Sequence, residues 1–130
     1  MLLPDDDEKF LNERGYDWTL YPDGDKAGFL VIRNFDVTGG GFTPSVTDLM
    51  IRIPAQYNMA QLDMWYCCPS IKLASGQPVL NTEVTEHFLG RQWQRFSRHL
   101  LGGVWRAGVD NLRSFMPLIW LELQGKGGAR

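Results

Sequence analysis

Cysteine is scarce: the 130 residues include two, and they are neighbours, Cys67-Cys68. Adjacent cysteines rarely bridge each other, because a disulfide needs separated alpha carbons and converging side chains. A reduced, cytoplasmic protein is therefore expected. The two histidines, His87 and His99, do not stand at ligand spacing from these cysteines, and Cys-Cys is not Cys-x-x-Cys. A zinc site is thereby excluded, and no metal or cofactor is expected. No segment approaches the roughly 18 apolar residues that cross a bilayer. The start, "MLLPDDDEKF", lacks the basic region of a secretory signal, so neither export nor a membrane partner is expected. Positive charge is not in excess: 13 Lys and Arg against 15 Asp and Glu leave a net charge of −2. That argues against broad nucleic-acid binding. Repeats and low-complexity linkers are also missing. A chain of this length with 44% hydrophobic residues has the means for one domain, 1–130, with a real core.

The chain opens with "PDDDEKFLNERG", which reads as a short helix. Asp5 and Glu8 have capping-box spacing, the early acids suit the helix dipole, and Gly15 ends it. "YDWTLY" reads as a strand, "PDGD" over 22–25 as a turn and "AGFLVIRNF" as a second strand. "DVTGGGFTPSV" is a loop. Its three glycines suggest a phosphate cradle, but no Lys-Ser/Thr or helix start follows, and a flexible connection is the simpler reading. "TDLMIRIPAQY" and "LDMWYCC" are the third and fourth strands. In the third, Leu49, Ile51 and Ile53 share one face and Met50 and Arg52 the other. "ASGQPVLNTEV" is loop, and "TEHFLGRQWQRFSRHLL" is mixed, with helical spacing between Phe96 and Leu100. Gly102-Gly103 breaks it. A helix is predicted over 109–123, where Leu112, Phe115, Met116, Ile119 and Leu123 form one stripe. Pro117 should kink or split it. The order predicts an α+β layer fold: an N-terminal helix, a four-stranded antiparallel meander, a long irregular segment and a C-terminal helix.

The stretch "RQWQRFSRHLLGGVW" concentrates aromatic and basic residues and sets Ser97 two positions from His99. It reads as a reactive segment, a binding surface or an amphipathic piece of core. Arg91, Arg95, Arg98 and Arg106 form a local basic cluster, either a solvated face or a contact for an acidic protein surface. Trp93, Phe96, Trp105 and Trp120 suit core and lid better than a ligand cage. His87 has only a loop and Phe88 around it. Cys67 and Cys68 are intrinsically the better nucleophiles. One of them should point inward as core filler, and Cys68, beside the strand-ending Pro69, is the better candidate.

Three stretches carry a resemblance: "LPDDDEKFLNERG", "DLMIRIPAQYNMAQLDMWYCCP" and "GRQWQRFSRHLLGGVWRAGVDNL". In order and spacing, nearly end to end, they resemble the prokaryotic family E of ubiquitin-conjugating-like proteins. The resemblance implies a ubiquitin-conjugating fold, with the irregular segment as the active-site segment. It implies a conjugating enzyme of a bacterial pathway that accepts a modifier C-terminus from an activating enzyme and transfers it to a target amine. The implied partners are a ubiquitin-like protein, the activating enzyme and a deconjugating peptidase. The alternative is an inactive variant that scaffolds the modifier or the activating enzyme.

The resemblance also places the site. The family's His-Pro-Asn tripeptide reads Cys68-Pro69-Ser70 here, and its tryptophan is Trp105, an active-site wall. The family's catalytic cysteine precedes that tryptophan by about eight residues, which reaches Ser97. No cysteine is near, so the carrier would form an oxyester on Ser97. Serine needs a base within hydrogen-bond reach, and His99 is the candidate. In a strand the two would stand about 7 Å apart, so they could meet only in irregular backbone. Ser70, Arg95 and Arg98 are the candidates for oxyanion contact or for positioning the modifier's tail. Cys68 is the rival nucleophile. The first helix, basic in ordinary conjugating enzymes, is acidic here.

Overall fold

The computed structural model describes residues 3–99 and 104–125. Helix α1 spans Asp5–Glu13 and helix α2 Leu112–Gln124. Between them run β1 (Asp17–Asp23), β2 (Ala27–Asp36), β3 (Phe42–Thr43), β4 (Val46–Ile53), β5 (Trp65–Cys68), β6 (Lys72–Leu73), β7 (Thr85–Phe88) and β8 (Arg91–Phe96). Six strands form one sheet in the order β1-β2-β4-β5-β8-β7, and β3 pairs with β6 in a small separate ribbon. Every pairing is antiparallel. The expected four-stranded meander is thus the first part of a wider sheet.

The extension corrects the reading of the segment after residue 84. Residues 85–96 form a hairpin that docks on β5, with Trp65 opposite Phe96 and Cys67 opposite Gln94. Strand periodicity went unseen because Trp93 and Gln94 are adjacent and both buried. They face opposite sides of a sheet that is covered on both. The supposed Phe96–Leu100 helical pair and the Gly102-Gly103 break reach residues outside the described ones.

The helices pack on one face of the sheet. Leu30, Ile32, Leu49, Ile51, Ile53, Trp65, Cys67 and Phe96 point toward Phe10, Leu11, Leu112, Phe115, Met116, Ile119, Trp120 and Leu123. The opposite face buries Phe29, Val31, Met50, Tyr66 and Trp93 without a helix above them. Phe88 closes over this second cluster, 5.1 Å from the Phe29 ring and edge-on to Tyr66 at 5.7 Å. The Arg52 and Arg91 guanidiniums lie over Phe88 and Trp93 at 5.0 and 4.9 Å. Leu49, Ile51 and Ile53 share the helix side, as their alternation predicts.

Three element ends differ from expectation. Pro4, not Asp5, is the N-cap residue of α1, and no side chain caps it. Asp5, Asp6, Asp7 and Glu8 fill the first turn, where the helix dipole favours acids. The 22–25 turn is shorter, since Pro22 and Asp23 still pair with Gly28 and Ala27. Helix α2 starts three residues later than predicted. Asn111 caps it, accepting from Ser114 N–H at 3.2 Å while Ser114 Oγ accepts from Asn111 N–H at 2.9 Å. The helix runs through Pro117. Pro117 forfeits its bond to the Arg113 carbonyl, but buried Phe115 and Met116 before it and Ile119, Trp120 and Leu123 after it hold both halves on the sheet.

The glycine triplet serves packing. Thr38–Gly40 is a 3-10 turn pressed against the last turn of α2. A Cβ on Gly40 would meet Leu123 O and the Phe42 ring closer than atoms can approach, whereas one on Gly41 would meet open space. Gly41 sits at φ +79. Gly40→Ala is expected to destabilise the fold by about 1–3 kcal/mol through overpacking. Gly41→Ala is expected to cost about 1 kcal/mol from backbone strain alone. Urea unfolding of both variants checks the order.

Candidate functional site

The end of β8 sends its side chains to alternate faces. Arg95 and Ser97 share one: Ser97 Oγ accepts from Arg95 Nε at 3.1 Å, and Arg95 Nη1 lies 3.3 Å from Glu86 Oε2. Tyr66 O–H donates to the same Glu86 oxygen at 2.9 Å. Burial, with Glu86 second, pushes the Tyr66 hydroxyl up to about 12. Ser97 is half-buried, and its N–H donates to Asn81 O at 3.1 Å. Arg98 turns the other way. Its Nε and Nη2 grip both Glu122 oxygens at 2.8 and 2.6 Å, tying β8 to α2.

His99 is exposed and sits with Nδ1 3.0 Å from Asp63 Oδ2. A carboxylate oxygen accepts, so Nδ1 is the donor of this bond. No hydrogen bond joins Ser97 to His99 among the described residues: each takes another partner.

Ser70 and Cys68 lie at the far end of the same strand pair. Register places Ser97 beyond Trp65 and Ser70 beyond Cys68. At ~3.3 Å per residue the two serines are roughly 15–20 Å apart. Ser70 therefore cannot contact an oxyanion held at Ser97, and the structure does not bring these two candidates into one site. Cys67 is buried in the main core, where desolvation pushes its thiol well above the ordinary value. Cys68 is half-buried against the second cluster. Trp105 is half-buried, donating from Nε1 to Asn58 O at 3.0 Å, with its ring 6.5 Å from Tyr57. It shares an open cleft with Val104, and Val104 also borders His99. Of the basic cluster, Arg91 pairs with Asp48 and Arg106 with Asp110, both at 2.9 Å.

Several site residues gave no sequence signal. Asp63, Glu86 and Glu122 orient His99, Arg95 and Arg98 from 36, 9 and 24 positions away. Gln94, buried at the Ser70 end, accepts from Ile71 N–H at 2.8 Å and donates to Ile71 O at 2.9 Å. It holds the turn after the Cys68-Pro69-Ser70 tripeptide. Asp7, almost wholly buried on α1, accepts from Leu112 N–H at 3.3 Å and bonds Tyr57. Asn58, next to Tyr57, donates to Asp110 O at 2.9 Å and accepts from Trp105. Together these bonds staple the 104–110 loop to the body of the fold.

Helices on one face of an antiparallel sheet, with a helix at each end of the chain order, are consistent with the fold of ubiquitin-conjugating (E2-like) domains. The chain belongs to the prokaryotic E2 family E, whose model matches residues 3–126. No curated protein and no solved structure matches it. The family gives the chain an E2-like part in ubiquitin-like conjugation. No helix among the described residues is long and apolar enough to cross a membrane.

Two outcomes follow from the buried polar groups. Gln94→Leu should destabilise the fold by about 2 kcal/mol or more, because two buried backbone groups at Ile71 lose their partners at about 1–3 kcal/mol each. Thermal and urea melts check it. Burial raises the Asp7 carboxyl above its ordinary value of 3.8, against the Tyr57 and Leu112 bonds that favour the anion. The native chain thus keeps this proton to higher pH than the unfolded chain. The associated stability is present at low pH and is lost as pH rises through the native value. Asp7→Asn keeps an oxygen for Leu112 N–H and removes that loss. Its stability relative to the parent should grow from about pH 4 to neutrality, measured by urea unfolding at each pH.

Proposed function

We propose that this chain is a conjugating enzyme for a ubiquitin-like protein in a bacterial pathway, carrying the modifier on Ser97 as an oxyester. What supports the reading, beyond family membership, is the Asp63–His99 pair two residues from Ser97. Asp63 fixes Nδ1–H, which leaves Nε2 free to take a proton. In the proposed step Ser97 Oγ attacks the modifier's C-terminal carbonyl on the activating enzyme. The new C–O bond replaces the bond to that enzyme, and the serine proton passes to His99 Nε2. A target amine then attacks the ester. A C–N bond forms, the C–O bond breaks and Ser97 regains a proton. In this reading Arg95, whose Nε donates to Ser97 Oγ, steadies the developing charge. The partners of this reading are the modifier, its activating enzyme and a deconjugating peptidase, in the cytoplasm.

A second reading is favoured by a specific observation: Ser97 Oγ bonds Arg95 and not His99, and the nearest cysteines are at the other end of the strand pair. In that reading the chain carries nothing and scaffolds the modifier or the activating enzyme.

Intact-mass spectrometry of the chain with its activating enzyme, modifier and ATP separates the two. The carrier reading expects an adduct that survives thiols, is cleaved by hydroxide and is lost in Ser97→Ala. Loading should slow about 100-fold or more in His99→Gln, the scale of losing a general base. A thiol-labile adduct lost in Cys68→Ala would move the site to the other end of β5. A stable complex without adduct would establish the scaffold.

A further inference from the structure

Among Arg91, Arg95, Arg98 and Arg106, only Arg95 gives its Nε to a hydroxyl. Among the described residues, Arg98 and Arg106 give theirs to carboxylates, and Arg91 bonds through its two Nη groups. Ser97 Oγ accepts from Arg95 Nε at 3.1 Å, so the serine's own O–H is turned away from Arg95. Arg95 Nη1 lies 3.3 Å from Glu86 Oε2, and Tyr66 O–H donates to the same oxygen at 2.9 Å. Register sets Tyr66 opposite Arg95, and Glu86 opposite Trp93, two residues before Arg95. The three side chains therefore share the face away from the helices. The chain Tyr66–Glu86–Arg95–Ser97 crosses three neighbouring strands, β5, β8 and β7.

Its two ends differ in rigidity. Tyr66 is 1% exposed and packs edge-on to Phe88, and burial pushes its hydroxyl up to about 12, so it stays a donor at neutral pH. Glu86 thus has a fixed anchor in the core. The Arg95 and Glu86 side chains are 30% and 29% exposed. An ion pair so exposed adds little to stability. Its effect on geometry is larger. Several torsions separate a guanidinium from its backbone, and an unanchored arginine leaves Oγ by ordinary rotamer exchange.

In the carrier reading Oγ bears the changing charge twice, as the attacking atom during loading and as the leaving atom when the amine takes the modifier. A guanidinium hydrogen bond strengthens as its acceptor becomes anionic. An Nε–H already in place therefore lowers both barriers without reorganisation. We propose that Glu86 and Tyr66 are positioning residues for Ser97: Tyr66 fixes Glu86, Glu86 fixes Arg95, and Arg95 presents Nε–H to Oγ. The consequence for transfer rests on the carrier reading; the hydrogen-bond chain does not.

The test has two readouts on the full chain. In ¹⁵N spectra the Arg95 Nε–H resonance, assigned by its loss in Arg95→Lys, should shift in Ser97→Ala and exchange faster with water in Glu86→Gln. Loading with the activating enzyme, modifier and ATP, followed by intact mass, should slow about tenfold in Glu86→Gln and about threefold in Tyr66→Phe, the scale of one hydrogen bond each. The concentration of activating enzyme that half-saturates loading should not change. Neither substitution should slow Arg95→Ala further, because both act through that residue. A merely structural role would not give this pattern. An Arg95 Nε–H unchanged in Glu86→Gln, full-rate loading of Glu86→Gln, or slowing that adds to that of Arg95→Ala would each overturn the proposal. Absence of any Ser97 adduct in the parent chain would instead overturn the carrier reading, and the Arg95 Nε–H resonance would then decide the hydrogen-bond chain by itself.

Discussion

The pairing of β8 with β5 is the contact on which the candidate site depends. It joins residues about 30 positions apart and sets Trp65 opposite Phe96, Tyr66 opposite Arg95 and Cys67 opposite Gln94. Strand parity then settles the rest. Arg95 and Ser97 fall on the side of Glu86 and Tyr66, while Arg98 falls on the side of α2 and Glu122. A slip of one residue would send each side chain to the opposite face. The burial of Trp93 under the second cluster and of Phe96 under the helices opposes such a slip from both sides.

This sheet is apolar on both faces although helices cover only one. Side chains of the sheet itself, Phe88 of the edge hairpin among them, supply the missing cover. Phe88 leans over Phe29 and Tyr66, and arginines lie across the aromatic rings. Arginine suits this duty, since its flat cation stacks on an aromatic face while its edge still reaches a carboxylate. Arg91 does both, lying over Trp93 and pairing with Asp48. Each arginine of the basic cluster seen in the sequence is paired with a carboxylate: Arg91 with Asp48, Arg95 with Glu86, Arg98 with Glu122 and Arg106 with Asp110.

Tyr57, Asn58, Trp105 and Asp110 belong to two loops that lack regular structure and still have definite places. Asp7 and Tyr57 meet at the first N–H of α2, that of Leu112, and Asn58 takes up groups from the 104–110 loop. A carboxyl at a helix start gains from the unpaired amides there, and this one loses by being buried. The balance leaves Asp7 as a buried acid connecting the first helix to the last.

By itself the sequence determined the α+β class, the two terminal helices, strands β1, β2, β4 and β5, and membership of the conjugating-like family. These rest on local signals: strand alternation in 47–53, the stripe from Leu112 to Leu123, and motifs in fixed order. The β7–β8 hairpin was not legible, because a strand covered on both faces loses its alternation and Gln94 is a polar residue in a buried place. The serine–histidine pairing also could not be judged from spacing. Side-chain partners are chosen by what folding brings near, and Asp63 and Arg95 reach His99 and Ser97 from the neighbouring strand end and from the same strand face. Only the tertiary structure decided that Ser70 and Ser97 stand at opposite ends of one strand pair. That separation depends on register between distant segments.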